Sequence, residues 1–350
     1  MNRPVMNPTF LVDPGGAPPP PRKKRWWHPL FAIFRIFRVA GRVLFYNPLA
    51  RRRANRLQVD DGSSFFGRVF RGLLYRLAFV PILIAIAVAA FVYTGTHPHQ
   101  PPPELDPTSQ GIYYDAVSVT TEDAVHLDAW LVPMYDASII LNKREEILRK
   151  KHPAVLLVHD FGQNRQQTLP LVKPLHDAGF VVMSINLRGW NQSQLAGTTF
   201  GLREAMDVKA AIAHLRRLPY IDGSKIAIIG IGTGGSAAMI TARDDASIAA
   251  LVLDHPVTGA NEIIDQYIGP HQPALKWMQP LCKWGFEMAY CVDADDLEMH
   301  RFDGVINSRP VLMLADPAGA GSVTMPTIIT GVRDFLRKNV KVGQATASAR

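Results

Sequence analysis

Twenty consecutive residues without a charge divide this chain in two. Residues 77–96 read LAFVPILIAIAVAAFVYTGT, the length a helix needs to cross about 30 Å of hydrocarbon. Pro81 falls in the first turns, where a missing N–H costs least. A core helix of a soluble domain seldom stays uncharged on every face for so long. The pattern therefore predicts a transmembrane helix, and its distance from Met1 and poor cleavage context make it an uncleaved signal anchor. Upstream, residues 26–46 read WWHPLFAIFRIFRVAGRVLFY. At 100° per residue Arg35, Arg38 and Arg42 fall within about 60° of one another, with Ile33, Phe37, Ala40 and Leu44 opposite. That is an amphipathic helix suited to an anionic lipid interface.

From about Tyr113 the pattern changes to short apolar runs. Residues 116–121 and 125–132 predict an antiparallel pair turning at Glu122–Asp123. A charged helical insertion (KREEILRKK) occupies residues 137–151. Beyond it, apolar β-rich runs at 154–158, 180–185, 225–229, 249–253 and 310–314 alternate with helices such as 201–218 and 235–243. Near-continuous apolar strands spaced by helices predict an α/β fold, a mostly parallel sheet covered on both faces. The organisation expected is a Pro-rich, basic, disordered tail (1–25), a basic interface region (26–76) and the span (77–96). A Pro-rich tether (97–112), the globular domain (113–340) and a disordered tail (341–350) follow.

Charge sharpens this division. Residues 1–76 carry fifteen Lys and Arg against three Asp and Glu, a surplus of +12 beside +8 for the whole chain. The pI near 9.5 therefore belongs to the N-terminal segment. Because that segment interleaves its arginines with Phe and Trp and precedes the span, it points to a lipid partner and not to nucleic acid. No Lys or Arg follows the span until Lys143. The positive-inside rule then places the N-terminus in the cytoplasm and the domain outside it, an arrangement suited to a bacterial inner membrane. Two cysteines, Cys282 and Cys291, are too few for a disulfide framework or a four-ligand zinc site. They suit either one bridge or two free thiols. No metal-ligand spacing, Walker motif or dinucleotide fingerprint appears, and no cofactor is expected.

Four blocks in order, VSVTTEDAVHLDAWLVP (117–133), AVLLVHDFGQNR (154–165), GFVVMSINLRGWNQS (179–193) and SKIAIIGIGTGGSAA (224–238), resemble the α/β-hydrolase superfamily. The resemblance is to its serine-aminopeptidase-like and dienelactone-hydrolase-like esterase branches. It implies an α/β-hydrolase fold over roughly residues 113–340 and an acyl or peptide ligand. It also implies a serine on a strained G-x-S-x-G turn after the fifth strand. Here that turn reads Gly230-Ile231-Gly232-Thr233-Gly234, and Gly232 stands where the nucleophile belongs. Glycine has no atom to attack a carbonyl, and without a side chain the turn is expected to relax.

The other expected parts are also altered. The resemblance implies a late histidine as general base, and no His follows His300; the corresponding stretch 317–322 reads PAGAGS. The tail looks short of one strand–helix unit. Asp316 is the nearest match to the orienting acid, but a lone Asp at a strand end reads more simply as a turn or N-cap residue. His159-Asp160-Phe161-Gly162 corresponds to an H-G-x-G oxyanion loop with Asp160 replacing a glycine. The N–H groups of Phe161 and Thr233 could converge on an anion or carbonyl oxygen, which a carboxylate at Asp160 would oppose unless it were itself paired. The expectation is a membrane-anchored, non-catalytic binding or scaffolding domain. The rival is an esterase or peptidase using Ser236 or Thr233 with His159 or His255 as base. A third reading makes the envelope anchor itself the working part.

Overall fold

Strand boundaries follow the apolar runs closely, because each run fills a position inside one sheet. The computed structural model describes residues 65–99, 105–134, 150–190, 197–314 and 325–340. Several expectations lie outside these residues. They are the basic helix with Arg35, Arg38 and Arg42, the charged insertion, both tails, and Asp316 with the glycine-rich loop after it. The chain falls into two units, Met1–Pro81 and Ile82–Arg350.

Strands β1 (Asp115–Thr120), β2 (His126–Val132), β3 (His152–Val158), β4 (Val181–Ile185), β5 (Ile221–Ile231), β6 (Ala250–Asp254) and β7 (Val311–Leu314) form one sheet in the order β1-β2-β4-β3-β5-β6-β7. The pairs β1–β2 and β2–β4 are antiparallel, and the rest are parallel. Every residue of β3 and β4 is buried, which is why these strands are apolar apart from His152 and Ser184 and do not alternate. Their side chains still alternate between faces. Ala154, Leu156 and Val158 enter one core with Val208 and Ile212, while Val155 and Leu157 enter the other with Leu175 and Leu336.

The helices are α1 (Phe65–Thr96), α2 (Leu169–Asp177), α3 (Glu204–Arg217), α4 (Thr233–Asp244), α5 (Ala260–Ile263), α6 (Gln279–Tyr290), α7 (Asp303–Ser308) and α8 (Met325–Asn339). A π-turn, Ile264–Ile268, and a 3-10 segment, Pro273–Met278, join α5 to α6. Helix α1 starts twelve residues before the uncharged run, since a helix once nucleated propagates through arginines that a membrane core would exclude. Its stretch Arg76–Thr96 is long and apolar enough to cross a membrane, and in its most apolar window only 11% of residues are buried. It is not packed as a core helix.

From Ile82 onward α1 belongs to the same unit as the sheet. Val88 and Val92 are buried in the core, and a Cβ on Gly285 of α6 would come to 2.7 Å from Val88 Cγ1. Thr96 closes this contact through its hydroxyl, which accepts from Tyr290 Oη at 2.7 Å, and its carbonyl, which accepts from Thr198 N at 2.9 Å. The tether expected over 97–112 is shorter than that at its far end. Asp106 caps a 3-10 turn, Pro107–Gln110, and Gln110 Nε2 donates to Leu169 O at 3.0 Å, so the folded part begins by Leu105. The composition is Pro-rich, but Pro107 at the first position of a capped turn is a start signal and not a breaker. Cys282 and Cys291 are free thiols, the first buried and the second exposed.

Two buried charges organise the loops that lead into α3. Glu204, its first residue, accepts from Thr198 Oγ1 (2.8 Å), Thr199 N (2.7 Å), Thr199 Oγ1 (2.7 Å) and Gly201 N (2.9 Å). Arg188 donates to Asp207 Oδ1 from Nε (3.0 Å) and Nη2 (2.7 Å), and reaches Asp123 with Nη1 at 2.7 Å. The Arg188 hydrogen bond holds the Asp123 carboxyl down at about 2. Arg188→Met would strand Asp207, whose side chain is fully buried. It is expected to lower stability by about 3–5 kcal/mol, read as a fall in the denaturant midpoint. Asp244→Ala, which removes the exposed Lys209 pair, should cost under about 1 kcal/mol.

Candidate active-site region

Parallel register brings the carboxyl ends of β3, β5 and β6 together: Val158 pairs with Gly230, and Ile231 with Asp254. The loop after β3 therefore lies against the turn between β5 and α4. That turn is sharp because its glycines are packed at backbone distance. A Cβ on Gly230 would meet Gly235 Cα at 2.6 Å, and one on Gly234 would meet His159 O at 2.5 Å. Gly232 has φ +52° and ψ −120°, outside the wells L-residues ordinarily fill. Its N–H donates to Asp254 O at 2.8 Å, and its carbonyl accepts from Gly235 N at 2.9 Å. The expected relaxation of the turn does not occur. The flanking glycines and these bonds hold the strained shape although no side chain needs presenting.

The space where a nucleophile would project is filled. A Cβ on Gly232 would fall within the van der Waals radius of Asp160 Oδ1, Cγ and Oδ2. Asp160 Oδ1 accepts from Phe161 N at 2.6 Å and from Thr233 N at 2.8 Å. The two donors do converge as expected, but on a carboxylate of the chain itself. Asp160 does not oppose this anion site; it is the anion. It also caps α4, whose N-terminal N–H groups and dipole favour negative charge. Burial raises the Asp160 pKa, while the Thr233 and Phe161 N–H bonds pull it back. Asp160 N donates to Gln167 Oε1 at 2.8 Å, which fixes the carboxylate's own backbone.

The other sequence candidates are placed as follows. His159 is fully buried; Leu187 N donates to its Nε2 at 3.0 Å, and its Nδ1 lies 2.8 Å from Asp160 O. An Nε2 that accepts leaves Nδ1 to donate, so both nitrogens are committed and the ring is neutral. Burial lowers its pKa to about 4. Ser236 is buried and donates to Val257 O at 2.7 Å, a helix residue tied to a neighbouring loop. Thr233 is buried, and it is its N–H that holds Asp160. His255 is exposed, with Nδ1 2.5 Å from Asp254 Oδ1, and Asp254 is the strand end whose carbonyl holds Gly232. An Asp–His pair thus stands beside the turn, while His159 faces inward, so the two histidines are not brought together as one dyad. Above the turn Phe161 packs on Tyr267 (4.8 Å between centroids) and Phe200 (5.3 Å), and His159 meets the edge of Trp190 at 5.9 Å. Sequence reading missed Tyr267, which sits in the π-turn, and the Arg188 network. The motif LRGW carried the only signal for Arg188.

Away from this region, Glu287, Asp293 and Asp295 bring ligand atoms close enough together to hold a cation. Lys283 Nζ already lies 2.6 Å from Asp295, so the cluster carries its own counter-charge.

A mostly parallel seven-stranded sheet with a glycine-flanked turn after β5 and a donor loop after β3 defines an α/β-hydrolase domain. Within that superfamily the chain is dienelactone-hydrolase-like: the model of the dienelactone hydrolase family matches residues 139–275. A curated relative, alpha/beta hydrolase domain-containing protein WAV2 of Arabidopsis thaliana, is 25% identical over 216 residues, 61% of this chain. The match spans 62% of that relative's length. Among solved structures, the chain resembles an esterase of Pyrococcus furiosus with TM-score 0.49 and 17% identity, covering 70% of this chain and 99% of that one. Dipeptidyl peptidase 4 of Porphyromonas gingivalis follows at TM-score 0.46 and 20% identity, over 65% of this chain and 36% of that one.

Two outcomes test this geometry. Gly232→Ala should cost at least about 2 kcal/mol, combining a strained φ with a clash on Asp160. Adding Asp160→Gly should recover part of that loss and Asp160→Asn none of it, a coupling of more than about 1 kcal/mol in a double-mutant cycle. The second concerns pH. With His159 at about 4 when folded and near 6.5 when unfolded, the unfolded chain binds the extra proton between these values. Stability therefore falls as pH drops through that window, by about 3 kcal/mol at most from this residue. Unfolding midpoints of the wild type minus those of His159→Gln should narrow as pH falls from 7 to 4.

Proposed function

We propose that this protein is a membrane-anchored α/β-hydrolase-fold module that binds or scaffolds and does not hydrolyse. The observation that carries the reading is the Asp160 carboxylate on Phe161 N and Thr233 N, in the space above Gly232. Acyl transfer needs those donors free for a developing oxyanion and needs a nucleophile beside them. Here one side chain takes both places. An imidazole poised as base is also required, and His159 has no lone pair to offer. The ligand class that suits the fold is acyl or peptidic, received around the half-buried rings of Phe161 and Tyr267 in place of a cleavable bond at the turn.

The anchor in this reading is the stretch Arg76–Thr96, with Arg35, Arg38 and Arg42 on the anionic inner surface and the domain on the far side. It accords with the arginine-rich flank before the span. Ser224, exposed near the start of β5, offers a reporter. With Cys291→Ser, Ser224→Cys should react with a membrane-impermeant maleimide in right-side-out vesicles.

Full-length protein is expected to stay unlabelled by a fluorophosphonate and to leave p-nitrophenyl esters intact. Gly232→Ser alone should be equally silent, because its side chain meets Asp160, which already occupies the donors an oxyanion would need. Labelling of the wild type at any serine or threonine would sink the non-catalytic reading.

A further inference from the structure

The 3-10 segment and α6 carry an apolar stripe that the fold leaves uncovered. Trp277, Leu281, Trp284 and Met288 are 57%, 37%, 59% and 59% exposed. Their spacing of four, three and four residues puts them on one helical face. They are four of the seven large apolar side chains exposed after residue 99 among the described residues. Scattered exposed hydrophobes need no explanation, but a contiguous stripe with two tryptophans does. The opposite face of α6 is ordinary core, with Cys282 and Phe286 fully buried.

What lies beside the stripe identifies its occupant. Gly285, next to Trp284, is the residue against which Val88 and Val92 of α1 pack. The outward side of that part of α1 is also apolar, with Ile82, Ile86 and Tyr93 exposed. Val88 and Val92 precede Thr96 by eight and four residues, about 12 and 6 Å along a helix axis. The 21 residues Arg76–Thr96 span about 31 Å, just the thickness of a hydrocarbon core. If that stretch crosses a bilayer, the Gly285 level of α6 lies about 6–12 Å inside its outer boundary and Tyr290, bonded to Thr96, lies near that boundary, the depth range of an interfacial amphipathic helix. Tryptophan prefers that zone, and Lys276, exposed among the stripe residues, can reach headgroup phosphates by its long stem.

We propose that the hydrolase-like domain is seated in the phospholipid interface through Trp277, Leu281, Trp284 and Met288, and is not held clear of the membrane on a tether. The proposal rests on the anchor reading above and adds a second, domain-borne contact to it. The occupant is the headgroup–acyl boundary of the leaflet on the domain side.

The test uses the full chain with Cys291→Ser, reconstituted in phosphatidylcholine–phosphatidylglycerol vesicles. An environment-sensitive fluorophore is placed at Met288→Cys, in a parallel preparation at Trp284→Cys, and at Ser224→Cys as the exposed control. The two stripe positions should be quenched by doxyl-labelled lipid, and their iodide quenching should be several-fold weaker than at position 224. A chain that fails to float with the vesicles overturns the anchor reading and the seat with it. Flotation with positions 284 and 288 open to iodide overturns the seat alone. Protection from iodide without quenching by lipid also overturns it, and assigns the stripe to a protein partner such as a second copy of this chain.

Discussion

The contact between the Asp160 carboxylate and the N–H groups of Phe161 and Thr233 is the constraint on which this site depends. An oxyanion hole in a resting hydrolase is a pair of partly buried donors awaiting an acceptor, and leaving such donors unpaired carries a desolvation cost. Asp160 removes that cost permanently. It also supplies the negative charge that the N-terminus of α4 favours and fills the volume that a side chain at position 232 would need. One residue therefore stabilises the loop after β3, the turn after β5 and the first turn of α4. The proposed non-catalytic reading rests on the first and third of these effects, the pairing of the donors and the filling of the space above Gly232.

Glycine at position 232 and aspartate at 160 are consequently one feature. A side chain at 232 excludes the carboxylate sterically, and the carboxylate excludes the side chain. Neither substitution is well accommodated without the other, which explains why the turn keeps φ +52° with no nucleophile to present. The register of β3, β5 and β6 sets the geometry, and Gly230 and Gly234 let the backbones close on it. Asp160 then locks what the glycines permit.

The strands, the two central helices and the position of the turn were legible in the sequence because they depend on periodicity and on small residues at fixed offsets. Val155 and Leu157 declare a buried strand by composition alone. The destination of the Asp160 side chain was not legible. The sequence shows a carboxylate in a donor loop, and repulsion of an incoming anion is the first inference from that. Only the register that sets Val158 against Gly230 reveals that the side chain reaches Thr233 N. His159 is a similar case, since a histidine at a strand end reads as a potential base until Leu187 N is seen on its Nε2. Tyr267 was invisible because a π-turn has no strong sequence signature. The folded start by Leu105 was hidden because Pro107 opens a turn capped by Asp106 in place of stiffening a linker.

The path from the last turns of α1 to the site bears on what such a module can do. Thr96 bonds Tyr290, which packs on Phe286, and Phe286 packs on Phe200 and so on Phe161 beside Asp160. These are close aromatic contacts in a buried layer, with no loose linker among them. A catalytic domain on a flexible tether samples many orientations and needs none of them in particular. If α1 is the anchor proposed above, a domain whose aromatic layer is continuous with it holds one orientation and one depth. For turnover that rigidity contributes little; for presenting a binding face at a set height above a bilayer it is the property that matters. The filled anion site and the proposed seat thus agree with one reading, in which position takes the place of chemistry.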